Sequence, residues 1–263
     1  MWFWKKKVRF SILNGYGRGI EAACFWNGVE GFEPGTINLW CQRAHEASVI
    51  VDVGANTGVY SLLAKAVNPR AKVYAIEPIQ RIYSILERNI VLNRGRWPDT
   101  PETQAHRVAL SDYNGSGTMF DLPVEHMYTA SLNKNIHLER GNPVYAVTES
   151  VIVQRLDNFC KTFNIIPDLI KIDVESHEPA VLRGFWDLLG RHQPTITCEV
   201  WDNKVRAAVE VMVASCAYRY VAIGQLLQEK PHITNDEPGN GYINYLLAPE
   251  LALASLSIKC RPS

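Results

Sequence analysis

The residues best suited to bind a ligand lie in "VIVDVGANTG" (49–58), where a run of β-branched residues leads directly into a turn with two glycines. A dinucleotide-binding turn follows the pattern G-x-G-x-x-G, which lets the backbone approach a pyrophosphate. Here the glycines are Gly54 and Gly58, and the acid Asp52 precedes them. Because a carboxylate repels phosphate and attracts positive charge, the turn predicts a ligand with a cation or an amino group.

A second acid, Glu77, ends the next predicted strand, "KVYAIE" (72–77). An acid at this position of a doubly wound fold accepts hydrogen bonds from ribose hydroxyls. Together, Asp52, the two glycines and Glu77 describe a ligand with a ribose and a positive charge but no phosphate, which fits S-adenosylmethionine. Taken alone, Asp52 has an alternative interpretation as a strand-end acid that caps the following helix. An NAD-dependent oxidoreductase is disfavoured because the middle glycine of its pattern is absent.

A second group of polar residues lies in "LIKIDVESHEPAVLRG" (169–184). Asp173 ends the fourth predicted strand, which lies beside the first strand in a doubly wound sheet, so it is expected to face the same ligand. Glu175 and His177 follow, and a histidine with a pKa near 6.5 is largely neutral at pH 7 and can act as a general base. Their alternative roles are electrostatic stabilisation of a helix N-terminus for the acids and plain solvation for the histidine.

Oxygen ligands for Mg²⁺ or Ca²⁺ are a further alternative, offered by Asp173, Glu175, Glu178 and by Glu199 at the end of the fifth predicted strand. Two of these acids are explained by their position at a helix start, so a divalent metal is the less favoured interpretation and no metal site is predicted. Trp201 and Asp202 follow Glu199, and Trp201 fits both acceptor binding and packing at the rim.

The elements that must position these residues begin at residue 48, where apolar strands alternate with segments of helical period. This alternation predicts an α/β fold with a doubly wound, mostly parallel sheet and a ligand site at the carboxyl ends of the strands. The predicted strands are 48–53, 72–77, 105–110, 167–174 and 195–200, with a closing antiparallel pair at 218–223 and 242–249. The predicted helices are 58–66, 79–93 and 178–189, the last ended by Gly190.

Two regions depart from this alternation. Residues 1–47 are predicted to form an N-terminal extension that packs on the core, with a helix that starts after Pro34 and Gly35. Residues 111–156 are predicted to form an insertion of β-hairpin type near the mouth of the site. The domain itself is assigned to 48–250, with a C-terminal tail at 251–263, and the loop 224–241 fits a lid and a surface connection equally well.

The composition is that of a globular protein in which 27 basic side chains balance 27 acidic ones, which argues against a nucleic-acid binder held by bulk charge. The six cysteines are scattered, without metal-binding spacing, and are expected to be reduced, as in a cytoplasmic protein. The start "MWFWKKKVRF" has its aromatic residues before its charges, the reverse of a signal peptide. No apolar run is long enough for a membrane span. Oligomeric state is not indicated.

The motifs "VDVGANTGVYSLLA", "VYAIEP", "RVALSD" and "IKIDVESHEPAVLRG" resemble, in this order, those of FkbM-type S-adenosylmethionine-dependent methyltransferases. The upstream "GFEPGTINLW" is similar to the segment before the first motif, and the resemblance covers about residues 30 to 250. It implies the class I methyltransferase fold, which is Rossmann-like with a seven-stranded sheet. One position departs from the family pattern: Ser176 stands where the family usually has glycine, and we expect a small backbone adjustment there.

The resemblance also implies roles for individual residues. Asp52, Gly54, Ala55, Asn56 and Gly58 resemble the loop at the methionine end of the cofactor, and Glu77 with Pro78 resembles the ribose clamp. Val108, Ala109 and Leu110 resemble the strand edge beside adenine, although a plain core strand explains them equally well. Asp173, Glu175 and His177 resemble the acidic motif that faces the transferred methyl group.

The function expected from these residues is methyl transfer from S-adenosylmethionine, with S-adenosylhomocysteine as product, to a hydroxyl of a sugar, glycolipid or polyketide-like small molecule. The predicted catalytic residues are His177 as the first choice of base, then Asp173 and Glu175. Two alternatives remain, an N-methyltransferase and a non-catalytic protein that binds S-adenosylmethionine. The intact acids and His177 speak against the second alternative.

Overall fold

The computed structural model describes residues 8–13, 33–121, 130–134, 147–201, 203–223, 244–250 and 252. The predictions for the aromatic and basic start of the chain, for Asp202, for the loop 224–241 and for almost all of the tail 251–263 lie outside these residues.

The described residues form seven helices and ten strands, numbered here in chain order. The helices are α1 (Pro34–Glu46), α2 (Val59–Val67), α3 (Gln80–Asn93), α4 (Leu156–Phe163), α5 (Glu178–Arg183), α6 (Trp186–His192) and α7 (Asn203–Ala214). The strands are β1 (Val49–Val53), β2 (Lys72–Ile76), β3 (Gln104–His106), β4 (Ala109–Ser111), β5 (Gly115–Asp121), β6 (Val147–Arg155), β7 (Leu169–Ile172), β8 (Thr195–Glu199), β9 (Tyr218–Ala222) and β10 (Asn244–Pro249).

The main sheet has seven strands in the order β3-β2-β1-β7-β8-β10-β9. The first five are parallel, whereas β10 runs antiparallel to both of its neighbours. The chain moves from β1 outward to β2 and β3, and later returns to place β7 on the other side of β1. This reversal at β1 opens a crevice at the carboxyl ends of β1 and β7, where ligands bind in open α/β sheets. The predicted sheet, including its closing antiparallel pair, is confirmed.

Helices cover both faces of this sheet because consecutive side chains of a strand point to opposite sides. On one face, Ile50 packs with Trp40 of α1 and Leu63 of α2. On the other face, Val51 packs with Phe159 of α4 and Leu182 of α5. The indole Nε1 of Trp40 also donates a hydrogen bond to the carbonyl of Tyr60, which fixes α1 against α2.

A second sheet of three strands, in the order β4-β6-β5, stands beside the main one. β5 and β6 are antiparallel, as predicted for the insertion, and β4 pairs with β6 in parallel. The predicted third strand, 105–110, is therefore divided: β3 joins the main sheet, and β4 turns away after Arg107 and Val108 to join the second one. Its first residues pair with β2 and its last pair with β6, so a single straight strand does not form.

The second sheet is fastened to the start of α3. Arg81 donates two hydrogen bonds of 2.7 Å to the carboxylate of Asp121 at the end of β5. The backbone N–H of Gln80 also donates to the carboxylate of Glu149 on β6. Bidentate pairs of this kind fix orientation as well as distance, so the second sheet is held at a defined position over the crevice.

The predicted helix 178–189 is two short helices, α5 and α6, separated at Gly184 and Phe185. A Cβ on Gly184 would lie 1.9 Å from the carbonyl oxygen of Ser111, so the chain approaches β4 closely at this point. Gly190, predicted to end the helix, lies within α6, and Gln193 in a left-handed conformation ends it instead.

Four cysteines of the described residues, Cys41, Cys160, Cys198 and Cys216, are free thiols. Within the same residues, no helix has the length and apolar character needed to cross a membrane.

Candidate functional site

A cavity opens at the carboxyl ends of β1, β2 and β7, with about 600 Å³ of empty space that includes solvent at its mouth. Its floor comes from the ends of these strands, and its opposite wall comes from the second sheet. Among the predicted site residues, those that line it are Gly54, Asn56, Glu77, Pro78, Ala109, Asp173, Glu175 and His177. Val108, Leu110, Met119 and Leu132 give it an apolar side.

The turn after β1 is built by residues that tolerate positive φ. Gly54 has φ +78°, Asn56 has φ +52° and Gly58 has φ +94°. A Cβ on Gly54 would lie 1.8 Å from the backbone oxygen of Asp173, so only glycine allows the turn to touch the loop after β7. The N–H groups of Gly54 and Ala55 both donate to the carbonyl of Ile76, which ties the turn to β2 as well.

Gly58 and Ala55 support the turn from behind the cavity. Gly58 caps α2, and a Cβ on it would lie 2.6 Å from Leu86 of α3. Ala55 is buried and packs with Leu62 and Ile90. Neither residue is among those that line the cavity.

Glu77 lies directly after β2 and is only 6% exposed. Its Oε1 accepts a hydrogen bond of 2.9 Å from the N–H of Ile79, and its Oε2 accepts one of 3.2 Å from the N–H of Asn56. Burial raises the pKa of Glu77 to about 7, although these two hydrogen bonds oppose the change. Since a carboxylate oxygen has two lone pairs, each oxygen keeps one for a ligand.

Asp52 is placed differently from the prediction, which put it at the methionine end of the ligand. Its side chain is fully buried, and its Oδ2 accepts a hydrogen bond of 2.6 Å from the hydroxyl of Ser61. Asp52 pairs with Lys171 across β1 and β7, whereas its neighbour Val53 lines the cavity. Asp52 lies on the same face of the sheet as Lys171 and Asp173 but two residues before Asp173 in register, so its buried carboxylate does not reach the cavity lining. The direct contact predicted for Asp52 is therefore not supported.

Asp173 is held at the cavity by Lys171, a residue that the sequence did not single out. Lys171 is 4% exposed, and its Nζ lies 2.6 Å from Asp173 Oδ2. Burial alone would lower the pKa of Lys171, but the carboxylates of Asp173 and Asp52 raise it overall, so the lysine stays charged. The alternation of "LIKID" places Lys171 on the same face as Asp173, and this pattern could have identified Lys171 from the sequence.

The loop after β7 contains Glu175 and Ser176, both in the left-handed region with φ +56° and +69°. A residue with a side chain is disfavoured there by about 1–2 kcal/mol. Glycine at position 176, as in the family pattern, would avoid this cost. The next residue, His177, is the N-cap of α5.

Glu178 stabilises this loop by accepting hydrogen bonds from its backbone. Its fully buried Oε1 accepts hydrogen bonds from the N–H groups of Val174, at 3.2 Å, and Ser176, at 3.1 Å. Burial raises the pKa of Glu178 to about 8. The hydroxyl of Ser131 adds a bond of 2.8 Å to the carbonyl of Glu175.

His177 lines the cavity beside Asp173 and Glu175. Its Nε2 lies 2.9 Å from the hydroxyl oxygen of Ser111, which was not among the predicted residues. Burial lowers the pKa of His177 below its ordinary value, against the opposing effect of nearby Asp112. The imidazole is therefore neutral at pH 7 and can accept a proton.

Glu178 and Glu199, two of the acids considered as metal ligands, make other contacts. Glu178 binds backbone N–H groups, and Glu199, which is 8% exposed, lies near Asp173 with a raised pKa that burial and Asp173 together cause. Within the part of the chain that the structure describes, no three His, Cys, Asp or Glu side chains are grouped as metal ligands. Trp201 is 48% exposed and does not line the cavity.

Strand order and the place of the cavity together define a class of protein, the doubly wound, Rossmann-like α/β proteins that bind ligands at the carboxyl ends of their strands. A family model described as the methyltransferase FkbM domain matches residues 52–220, more than half of the chain. The chain belongs to the FkbM methyltransferase family, as the order of its motifs predicted. It is accordingly a methyltransferase.

Two curated proteins are similar to this chain. Methyltransferase sdnD from Sordaria araneosa is 27% identical over 198 residues, which cover 62% of this chain and 71% of that protein. Methyltransferase 1 from Beauveria bassiana (strain ARSEF 2860) is 27% identical over 173 residues, which cover 60% of this chain and 66% of that protein. The chain thus spans about two thirds of the length of these relatives.

Two solved structures are also similar. A methyltransferase FkbM from Methylobacillus flagellatus KT has 16% identity and a TM-score of 0.49, with 77% of this chain and 44% of that chain covered. An O-methyltransferase from Bacillus cereus in complex with SAH has 14% identity and a TM-score of 0.46, with 87% and 89% covered. Both TM-scores lie below 0.5, so the family assignment is based on the sequence match.

Proposed function

We propose that the protein transfers a methyl group from S-adenosylmethionine to a hydroxyl oxygen of a sugar, glycolipid or polyketide-like small molecule. The observation that carries the proposal is that a buried carboxylate at the end of β2 and a neutral imidazole after β7 line the same cavity. The first suits a ribose, and the second suits removal of a proton from a hydroxyl group.

The nucleoside end of the cofactor fits the residues near β2. The two free lone pairs of Glu77 match the two donors of a ribose diol, because its other lone pairs are used by Ile79 and Asn56. The apolar side chains of Val108, Leu110 and Met119 offer a surface for the flat adenine ring. Among the described residues that line the cavity there is no lysine or arginine that would favour a pyrophosphate.

The charged end of the cofactor fits the residues near β7. When bound, S-adenosylmethionine supplies a methyl group on a positively charged sulfur. Asp173, fixed by Lys171, presents a carboxylate at the cavity that attracts this charge, and through Asp173 the buried lysine orients the site without facing it. Because the chemistry needs little more than alignment and exclusion of water, orientation by fixed side chains is the main contribution of the protein.

His177 is assigned the role of general base. A neutral hydroxyl is a weak nucleophile, so a base that takes its proton during transfer is expected to increase the rate. We expect His177→Ala to bind S-adenosylhomocysteine as before while turnover falls at least ~100-fold. Unchanged turnover of His177→Ala would exclude His177 as the base. Unchanged turnover of the wild-type protein in EDTA would exclude the divalent-metal alternative.

Thermal melting tests the cofactor assignment. S-adenosylhomocysteine at 100 times its Kd should stabilise the folded protein by about 2.7 kcal/mol, whereas NAD should leave the midpoint unchanged. Glu77→Ala should abolish this shift. A matched control is Glu46→Gln, because Glu46 is an exposed acid at the end of α1. Equal shifts with both ligands, or none with S-adenosylhomocysteine, would contradict the proposal.

The acceptor is identified by its product. Cell extracts incubated with the protein and S-adenosylmethionine carrying a ¹³C-labelled methyl group should yield a labelled methoxy compound. The ¹³C chemical shift separates a methoxy group from an N-methyl group. A labelled N-methyl product would replace O-methylation by the N-methyltransferase alternative and leave the cofactor assignment intact.

A further inference from the structure

Ser111, at the end of β4, is fully buried and lies behind His177 as seen from the cavity. Its hydroxyl oxygen is 2.9 Å from His177 Nε2 and 3.2 Å from Asp112 Oδ1. The close approach of Gly184 to the Ser111 carbonyl brings β4 and α5 together, which makes the serine a neighbour of the histidine. The hydroxyl has a single proton, so it can donate to only one of these two partners.

The charge of Asp112 determines which of the two partners accepts the hydrogen bond from the Ser111 hydroxyl. Its Oδ2 accepts a hydrogen bond of 2.9 Å from Arg183 Nε. Burial by itself would raise the pKa of Asp112, but the hydrogen bond and charge of Arg183 lower it overall. An ionised carboxylate has no proton to donate and only accepts, so Ser111 donates to Asp112. The lone pairs of the Ser111 oxygen then face His177, and Nε2 must carry a proton in order to bond to them.

We propose that Ser111 and Asp112 are positioning residues that fix the tautomer of His177 with its proton on Nε2, so that Nδ1 is the atom that accepts the proton of the acceptor hydroxyl. Nδ1 makes no capping bond to α5, although His177 is the N-cap of that helix. The assignment of Nδ1 as the base atom rests on the proposed function, whereas the tautomer itself does not.

The proton transfer is balanced as follows. The O–H bond of the acceptor breaks and an Nδ1–H bond forms, while the oxygen forms a bond to the methyl carbon and the sulfur keeps the electron pair of the bond that it loses. The product imidazolium has a proton on each nitrogen and keeps its Nε2 bond to Ser111. It returns to the neutral form by releasing the Nδ1 proton to solvent.

The tautomer can be read directly in the full-length protein by ¹⁵N NMR of labelled histidines, with His177→Gln used to assign the signal. At a pH above the pKa of His177, we expect a protonated Nε2 and an unprotonated Nδ1. We expect Ser111→Ala to lose the Nε2–H cross peak, because the proton no longer has a buried acceptor and exchanges with water. Ser61→Ala is the matched control, since Ser61 is equally buried and also donates to a carboxylate. It should leave the His177 signals unchanged.

Asp112→Asn gives the sharpest outcome. Arg183 requires an acceptor, so the amide oxygen should face Arg183 and the NH₂ group should face Ser111. The amide then donates to the serine, the serine donates to Nε2, and the proton of His177 moves to Nδ1. A protonated Nδ1 in the wild-type protein, or an unchanged tautomer in Asp112→Asn and an unchanged cross peak in Ser111→Ala, would overturn the proposal.

Binding of S-adenosylhomocysteine separates this proposal from the proposed function. Calorimetry should give Kd values for Ser111→Ala and Asp112→Asn within about twofold of the wild type, because neither side chain lines the cavity. If the wild-type protein fails to bind S-adenosylhomocysteine, the proposed function fails while the tautomer is still decided by NMR. If the variants alone lose binding, Ser111 and Asp112 have a general structural role and the positioning proposal is wrong.

Discussion

The turn after β1 and the loop after β7 meet in the cavity, but they reach their shapes by different means. The turn places glycine or asparagine at each position of positive φ, so its conformation is close to relaxed. The loop also places Glu175 and Ser176 at positive φ, where hydrogen bonds with Glu178 and Ser131 and the Lys171–Asp173 pair hold its backbone. One side of the site is therefore formed by the backbone itself, whereas the other stores strain that neighbouring side chains must offset.

The largest loss of stability should come from Gly54→Ala, because Gly54 lies where the turn and the loop touch. The added Cβ would meet the Asp173 carbonyl at 1.8 Å, and alanine is also disfavoured at φ +78°. We expect a loss of about 4 kcal/mol in the free energy of unfolding, measured by urea denaturation. Gly95→Ala is the matched control, since φ is +79° there and nothing lies within 4 Å of the new Cβ. It should cost only about 1 kcal/mol, and equal losses would show that contact with Asp173 is unimportant.

The next effect concerns the support of the strained loop. Glu178→Ala removes the acceptor of two backbone N–H groups and should destabilise the protein by about 2–3 kcal/mol. Glu178→Gln keeps an acceptor oxygen and mimics the carboxyl in its protonated form, so it should be near neutral at pH 6. If the alanine variant were as stable as the glutamine variant, the loop would not depend on this side chain.

The same side chain predicts a dependence of stability on pH. The pKa of Glu178 is raised from 4.5 to about 8 in the folded protein, so the folded state holds its proton more tightly than the unfolded state. Its contribution to stability is therefore complete below about pH 4.5 and is lost as the pH rises to about 8. Glu178→Gln lacks this loss, and the difference between its urea midpoint and that of the wild type should grow in favour of the variant across this interval. A constant difference would mean that the pKa is not raised.

On the side of the turn, the affinity for S-adenosylhomocysteine should depend on pH through Glu77. Ribose hydroxyls donate to the ionised carboxylate, and the pKa of Glu77 is raised to about 7 before binding. The Kd measured by calorimetry should weaken about tenfold, or about 1.4 kcal/mol, from pH 8 to pH 6. Glu77→Gln should bind more weakly with a Kd that is flat in this range, and a pH-independent wild type would argue against a ribose at Glu77.

The smallest effect should come from Ser176→Gly, which relieves strain in the loop after β7. We expect stabilisation of about 0.5–1 kcal/mol, less than the full left-handed penalty because glycine also gains freedom in the unfolded state. Thermal melting should show a modest rise of the midpoint. A fall of the midpoint would mean that the serine side chain contributes more than its conformation costs.

The sequence predicted the parts of the site that depend on local pattern. Gly54 and Glu77 could be found because a turn and a strand end have recognisable spacing, and Asp173 because its strand follows the same rule. Asp52 shares the face of Lys171 and Asp173, but its carboxylate is buried against Ser61 inside the strand, and the sequence pattern does not indicate this burial. Ser111 and Met119 could not be found, since they reach the site through pairing of β4, β5 and β6, which the alternation of residues does not specify.

The fastening of β5 to α3 has a consequence for how the molecule responds to a ligand. Glu77 precedes Arg81 by four residues, so the segment that would hold a ribose also carries the bidentate link to Asp121. A ligand that immobilises this segment should also slow the opening of β5. The rate of amide hydrogen exchange in β5 and β6 would then report whether a ligand occupies the nucleoside end of the cavity.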